Sequence, residues 1–135
     1  MERQPVLTVV KRSTGDVRSE RAKGPCTGEM WRDILQQKDG TSVSKNFFTP
    51  CARTHWHSHE GGQMLIVESG EGFVATEDEV VRMGVGDIVW TPPGVRHWHG
   101  GSHERSMLHL AISFGAVDWQ EAVPEELYES MRPSS

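Results

Sequence analysis

The chain of 135 residues lacks most of what marks a membrane, nucleic-acid or disulfide-stapled protein. Its apolar runs stop at about five residues, against the roughly 20 that a membrane-spanning helix needs, so no membrane partner is expected. The amino terminus, Met1-Glu2-Arg3-Gln4-Pro5, has no apolar segment behind a positive one. A secretion signal is therefore not expected, and the cytoplasm is the expected compartment. Positive charge is also scarce. Fourteen Lys and Arg stand against 19 Asp and Glu, for a formal net charge of -5, which leaves no basic field to hold nucleic acid. The basic residues near the start (Lys11, Arg12, Arg18, Arg21, Lys23) are interleaved with Asp16 and Glu20 and read as a solvated face. The two cysteines, Cys26 and Cys51, form no C-x-x-C pair and sit at no zinc-finger spacing. Reduced thiols are expected.

What the chain does have is punctuation: 14 glycines and 7 prolines cut it into short segments. Residues 6–10, rich in β-branched side chains, read as a first strand. Residues 12–28 read as a polar connecting arm. Residues 29–35 fit either a short helix or a strand, and the Asp39-Gly40 turn behind them favours the strand. Residues 42–49 alternate, and Pro50 ends them. Residues 53–59 and 63–68 read as the arms of a tight hairpin about Gly61-Gly62. Short strands follow at 73–76, 80–83, 87–91, 95–99 and 106–114. A helix from about Pro124 to Met131 is predicted, with proline in its first turn and Glu125 and Glu126 at the positive end of its dipole. About ten short strands at regular spacing mean one all-β domain, a sandwich or a closed barrel. Its expected layout is an N-terminal strand and arm (1–28), a barrel (29–120) and a C-terminal helix and tail (121–135).

Chemistry concentrates in the segment His55-Trp56-His57-Ser58-His59-Glu60-Gly61-Gly62-Gln63. Alternation along a strand puts His55, His57 and His59 on one face. A chain reversal at the glycines would bring Gln63 back beside them. A second pair, His97 and His99, follows the Pro92-Pro93-Gly94 turn, again two apart. Spacing alone leaves His55/His57 and His57/His59 equally placed as the first pair. A lone histidine is usually an ordinary surface or core residue, but several converging at ligand spacing point to a metal.

These two motifs resemble those of the cupins, Gly-x5-His-x-His-x3-Glu-x6-Gly and Gly-x5-Pro-x-Gly-x2-His-x3-Asn. His57, His59 and Gly70 fill the first, while Gly86, Pro92, Gly94 and His97 fill the second. The departures are Cys51 at the opening glycine, Gln63 at the glutamate and Gly101 at the final asparagine. The resemblance implies a cupin jelly-roll β-barrel with one divalent metal held by His57, His59, Gln63 and His97, and it leaves His55 at the rim. Manganese is the first expectation, with iron, zinc, nickel and cobalt also suited to imidazole and oxygen donors. Because Gln63 is neutral, the ion would keep more of its charge and be the stronger Lewis acid towards a substrate oxygen.

Further strings narrow the likeness. They are Ala52-Arg53-Thr54, Leu65-Ile66-Val67, Gly86-Asp87-Ile88-Val89-Trp90, His97-Trp98-His99-Gly100, His109-Leu110-Ala111-Ile112 and Ala116-Val117-Asp118-Trp119. Across roughly residues 50 to 128 the chain resembles the small bacterial cupins that include manganese-dependent hydroxynitrile lyases. That implies His99 as a base and His109 as a second active-site histidine. It also puts Ser44, Asn46, Thr54 and Ser113 against a small-molecule substrate. Alternation in residues 106–114 can be read two ways: Leu108, Leu110, Ile112 and Phe114 face the core, or the resemblance holds and Met107, His109, Ala111 and Ser113 do. In the second case the apolar face is left for another sheet or a second subunit, and a homodimer is expected. Arg53, on the His57 face, is a candidate for a carboxylate or for a structural role at the rim. Three functions remain open: a metal-dependent lyase cleaving or forming a C–C bond next to a metal-bound hydroxyl, a metal-dependent dioxygenase, and a non-catalytic ligand-binding cupin.

Overall fold

The computed structural model describes residues 7–11 and 19–133. Among these the chain forms twelve strands and one helix. The first strands are β1 (Glu20–Arg21), β2 (Cys26–Thr27), β3 (Met30–Lys38), β4 (Thr41–Phe48), β5 (Arg53–Thr54) and β6 (His57–His59). After them come β7 (Gln63–Ala75), β8 (Val80–Gly84), β9 (Ile88–Thr91), β10 (Trp98–Gly101), β11 (Met107–Phe114) and β12 (Val117–Trp119). The helix α1 is Glu125–Ser130, capped by Pro124. All pairings are antiparallel, and the sheet curls into a jelly-roll half-barrel.

The long strand β7 organises the curl. Its first half pairs with β11 and β9, and its second half with β10 and β8, so one strand serves both walls. The change of wall falls at Gly70, where φ is 74°, just past Glu68, the residue skipped where the register against β11 shifts. A Cβ at Gly70 would collide with the Ser106 carbonyl, so only glycine lets β7 turn there.

Inside the barrel Met30, Phe48, Leu65, Val67, Val74, Met83, Met107 and Ala111 form the apolar core. The alternation of β11 is resolved by this packing. Met107, His109 and Ala111 are buried inward, while Leu108, Leu110 and Ile112 are half-buried on the outside. A second cluster of Trp56, Phe73, Ala75, Trp98, Val123 and Tyr128 seats the C-terminal helix on the barrel.

Arg53 has its place in that seat. It is 2% exposed, donates to Glu125 Oε2 at 2.7 Å and to the Cys51 carbonyl at 3.0 Å, and lies 4.4 Å from the Tyr128 ring. It fastens the helix, and the carboxylate it holds is the chain's own. The Tyr128 hydroxyl donates to the Gly101 carbonyl at 2.6 Å, and burial pushes its pKa well above the ordinary range for tyrosine, so it stays protonated. Both cysteines are free thiols.

Three expectations are corrected. Of the strand predicted over residues 6–10, Val6 lies outside the described residues, and residues 7–10 form no strand. Leu7 is 95% and Val9 70% exposed. β-Branched residues favour a strand only where a partner edge and a buried face exist. Of the arm expected over 12–28, residues 12–18 lie outside the described residues, and within 19–28 β1 pairs with β3 and β2 with β5, so paired strands begin before residue 29. No hairpin forms about Gly61-Gly62 either. β6 pairs with β12, and the glycines carry the chain from that small sheet into β7. A Cβ at Gly61 would strike Phe114, which makes the crossing as close as it is.

Replacing Tyr128 by Phe removes one buried hydrogen bond and strands the Gly101 carbonyl. We expect a loss of about 1–2 kcal/mol in urea unfolding, with secondary structure by circular dichroism unchanged.

Candidate metal centre

The centre is assembled by a backbone bridge. His57 N–H donates to the His97 carbonyl, and His97 N–H donates to the His57 carbonyl, each at 2.9 Å. This exchange sets the two imidazoles side by side, with ring centroids 4.3 Å apart. β6 carries His59 on the same face as His57, and the Gly94 N–H donates to the His59 carbonyl at 2.9 Å, tying the second motif to the first. The three histidines are buried, and their ligand atoms lie within 4.8 Å of one another. Gln63 opens β7 beside them. Its Nε2 donates to Ser113 Oγ at 3.0 Å, which turns its Oε1 towards His97 Nε2, also at 3.0 Å.

This arrangement fits a divalent metal ion. The Nδ1–H of His57 donates to the His55 carbonyl and that of His97 to the Val95 carbonyl, each at 2.9 Å. Both rings are thereby fixed with Nε2 free to ligate. The His97 Nε2 and Gln63 Oε1 lone pairs then face each other, a contact that a cation between them would relieve. Two donors about 2.1 Å from one ion and at right angles lie roughly 3.0 Å apart, the spacing of this pair. Both ring nitrogens of His59 are buried without a partner, an arrangement that costs free energy unless something occupies the site. His55 contributes its carbonyl to His57, and its ring is not in the cluster.

Behind the cluster sit His99 and His109. His109 Nε2 lies 3.0 Å from His99 Nδ1, so a single proton occupies that contact, and the outer nitrogen of each ring has no partner. His99 borders a cavity of about 230 Å³. His109 points into the barrel but lies behind His99, against Phe48 at 5.3 Å, and does not border the cavity.

The remaining candidates divide. Ser44, Asn46 and Ser113 line the cavity, with Asn46 Nδ2 donating to Ser44 Oγ at 3.2 Å. Thr54 does not line it. That residue is fully buried, and its Oγ1 accepts the His99 N–H at 3.2 Å, so it supports His99 instead of meeting a substrate. Among the cavity residues that sequence reasoning did not single out are Arg32, Gln37, Ser42 and Trp119. Arg32 shares strand parity with the core residue Met30, and that alternation was the available signal. Trp119 packs 4.5 Å from the His57 ring.

All five histidines are held neutral. Burial pushes His59 down to about 4, with the neighbouring His97 adding to the effect. Burial alone is the main cause for His109, at about 3, and for the lowered His97. His57 and His99 lie well below the ordinary value near 6.5, first through burial and then through His97 and His109 respectively. Neutral imidazoles can ligate at physiological pH.

The sign of the pH dependence follows. With the folded value lowered, the unfolded chain binds more protons below about 6.5, so stability falls as the medium is acidified. For metal-free protein we expect a flat urea midpoint above pH 7. The midpoint should then fall steadily towards pH 4, by about 2 kcal/mol for each of His59 and His109 between pH 7.5 and 5. A midpoint unchanged at pH 5 would contradict the neutral, buried state of these rings.

Comparison with known proteins agrees with this geometry. Residues 48–113 match the cupin domain model. An (R)-mandelonitrile lyase from Granulicella tundricola is 46% identical over 120 residues, covering 78% of this chain and 89% of the relative. An acireductone dioxygenase from Bacillus pumilus is 24% identical over 130 residues, covering 93% of this chain and 69% of that protein. Among solved structures, a cupin-like protein from Thermotoga maritima superposes with a TM-score of 0.79 at 36% identity, covering 86% of this chain and 97% of its own. The fold, the paired histidine motifs and these relatives together show that the chain belongs to the cupin family.

Proposed function

We propose that this cupin is a metal-dependent lyase of the hydroxynitrile-lyase kind, cleaving or forming a C–C bond next to a hydroxyl held at the metal. The observation that carries the reading is His99, which borders the same cavity as His57 and His59 and is backed by His109 at 3.0 Å. The similarity to the (R)-mandelonitrile lyase supports it. His57, His59, His97 and Gln63 would hold the ion, with manganese the first choice and iron, zinc, nickel or cobalt compatible with the same donors. When bound, the ion supplies Lewis acidity towards a substrate oxygen.

His99 takes the hydroxyl proton on its unpartnered Nε2, and it is unprotonated at neutral pH because burial keeps it so. His109 holds the His99 ring and fixes which nitrogen carries the proton. Thr54 fixes the strand that bears His99. Ser44, Asn46 and Ser113 offer hydroxyl and amide groups to the substrate, a more polar lining than an aromatic side chain would favour. A dioxygenase acting at the same donors is the second reading, and the more distant acireductone dioxygenase relative favours it.

Metal analysis followed by anaerobic incubation with cyanohydrins separates the two. The lyase releases cyanide without oxygen, whereas turnover only in air would favour the dioxygenase. His97→Ala is expected to lose the metal. His99→Ala should keep the metal and lose roughly 10²–10⁴-fold in turnover. Full turnover in that variant would remove His99 as the base.

The reading includes a homodimer. On the outer face Leu110 stands opposite Ile66 and Ile66 opposite Ile88, while Ile112 stands opposite Met64 and Met64 opposite Trp90. Ile88 is 62% and Trp90 47% exposed in the single chain. This contiguous apolar surface, crossed by the Lys45–Glu68 ion pair at 3.2 Å, fits a second copy of itself. Light scattering is expected to give twice the mass of one chain, and Ile88→Glu, on an exposed site, to give monomers. A monomeric wild type would refute the interface.

A further inference from the structure

The wall of the cavity carries Arg32 and no aspartate or glutamate, in a chain with 19 acids. The Arg32 Nε donates to Asn46 Oδ1 at 3.1 Å, and its guanidinium lies 5.9 Å from the Trp119 ring, the same ring that packs 4.5 Å from His57. The side chain is thus aimed along the cavity towards the cluster. Its two terminal nitrogens have no partner among the described residues, and it forms no ion pair there. Glu20, opposite it in the β1–β3 register, stays exposed and makes none with it. Burial works against the charge of Arg32. An incoming anion would offset that cost.

The ligand set adds to the imbalance. Three neutral imidazoles and one neutral amide leave the charge of a bound divalent ion uncompensated by any protein carboxylate. A guanidinium without an ion-pair partner on one side, and on the other a neutral donor set that would leave a bound divalent ion uncompensated, favour a guest with negative charge. A planar guanidinium fork matches a carboxylate with two parallel N–H···O bonds. The volume of about 230 Å³ restricts the guest to a small molecule.

We propose that the substrate is a small hydroxycarboxylate anion, its carboxylate held by Arg32 and its hydroxyl directed to the His57–His59–His97–Gln63 cluster. This rests on the reading of the cavity as a substrate site, and it names the class of molecule that enters. Asn46 is the positioning residue, holding Nε so that the free edge of the guanidinium faces the guest.

Calorimetric titration with lactate and with lactamide tests it, since the two share a shape and differ in charge. Both are titrated into metal-free and metal-loaded protein. Wild type is expected to bind lactate at least tenfold more tightly than lactamide in both forms. Arg32→Gln should abolish that preference in metal-free protein while the loaded protein keeps its metal content. Arg32→Lys should retain part of the preference, and Asn46→Leu should weaken it with Arg32 intact. Equal binding of lactate and lactamide by wild type would overturn the proposal. So would a preference found only in loaded protein and untouched by Arg32→Gln, because the ion alone would then hold the anion. Turnover is not read in this experiment. Arg32-dependent lactate binding by a protein that cleaves no cyanohydrin would sink the hydroxynitrile reading and leave the anion site standing.

Discussion

The two-way backbone exchange between His57 and His97 is the constraint on which the site depends. The two residues are forty positions apart in sequence and belong to different motifs. Their shared pair of 2.9 Å hydrogen bonds sets the rings 4.3 Å apart. That exchange in turn needs both segments extended and level, which the β6–β12 pairing supplies on one side and the Pro92-Pro93-Gly94 turn on the other. A turn with fixed φ at proline and positive φ at Gly94 delivers His97 at one height only. His59 and Gln63 are then placed by short chain connections to this bridge.

Burial does the electrostatic work once the bridge is made. Water would solvate five imidazoles and let them protonate near 6.5, but inside the barrel each is pushed downwards. Phe48 against His99 and His109, and Trp119 against His57, help exclude the solvent that would stabilise the cation. The same packing that stabilises the fold therefore keeps the ligands competent and leaves His59 without hydrogen-bond partners. Core and site are one construction here.

Much of this could be read along the chain, and what could not has a common physical reason. The i, i+2 spacing of His57 and His59 fixes a shared face wherever the segment is extended, so the ligand pair survived even though its strand partner was misjudged. Gly61-Gly62 looked like a hairpin because two glycines between alternating segments usually are one. Their crossing between layers depends on Phe114 and Trp90, which lie 53 residues beyond Gly61 and 28 beyond Gly62. Thr54 has the parity of a cavity residue but lies beneath His99, and parity gives a face without a depth. Arg32 was hidden for the opposite reason. It sits in a segment whose side chains fit a helix or a strand and for which only the Asp39-Gly40 turn favours the strand, and only a strand puts it on the Met30 face. Residues 6–10 carry strand-like side chains, yet pairing is a property of two edges and one sequence supplies only one.

The His99–His109 contact shows why two buried histidines serve the proposed lyase better than one. At 3.0 Å only one of the facing nitrogens can carry hydrogen. When His99 donates through Nδ1, its outer Nε2 holds a lone pair on the cavity side and can accept the substrate proton. The proton taken there makes the pair a cation, because the outer nitrogen of His109 has no partner to which a hydrogen could pass. Burial opposes that charge on either ring, which favours return of the proton from Nε2 to the departing cyanide. A lone buried histidine would carry the charge unaided, whereas the 3.0 Å contact lets His109 accept a hydrogen bond from the charged His99 ring. Phe48 packs against both rings and holds them in contact.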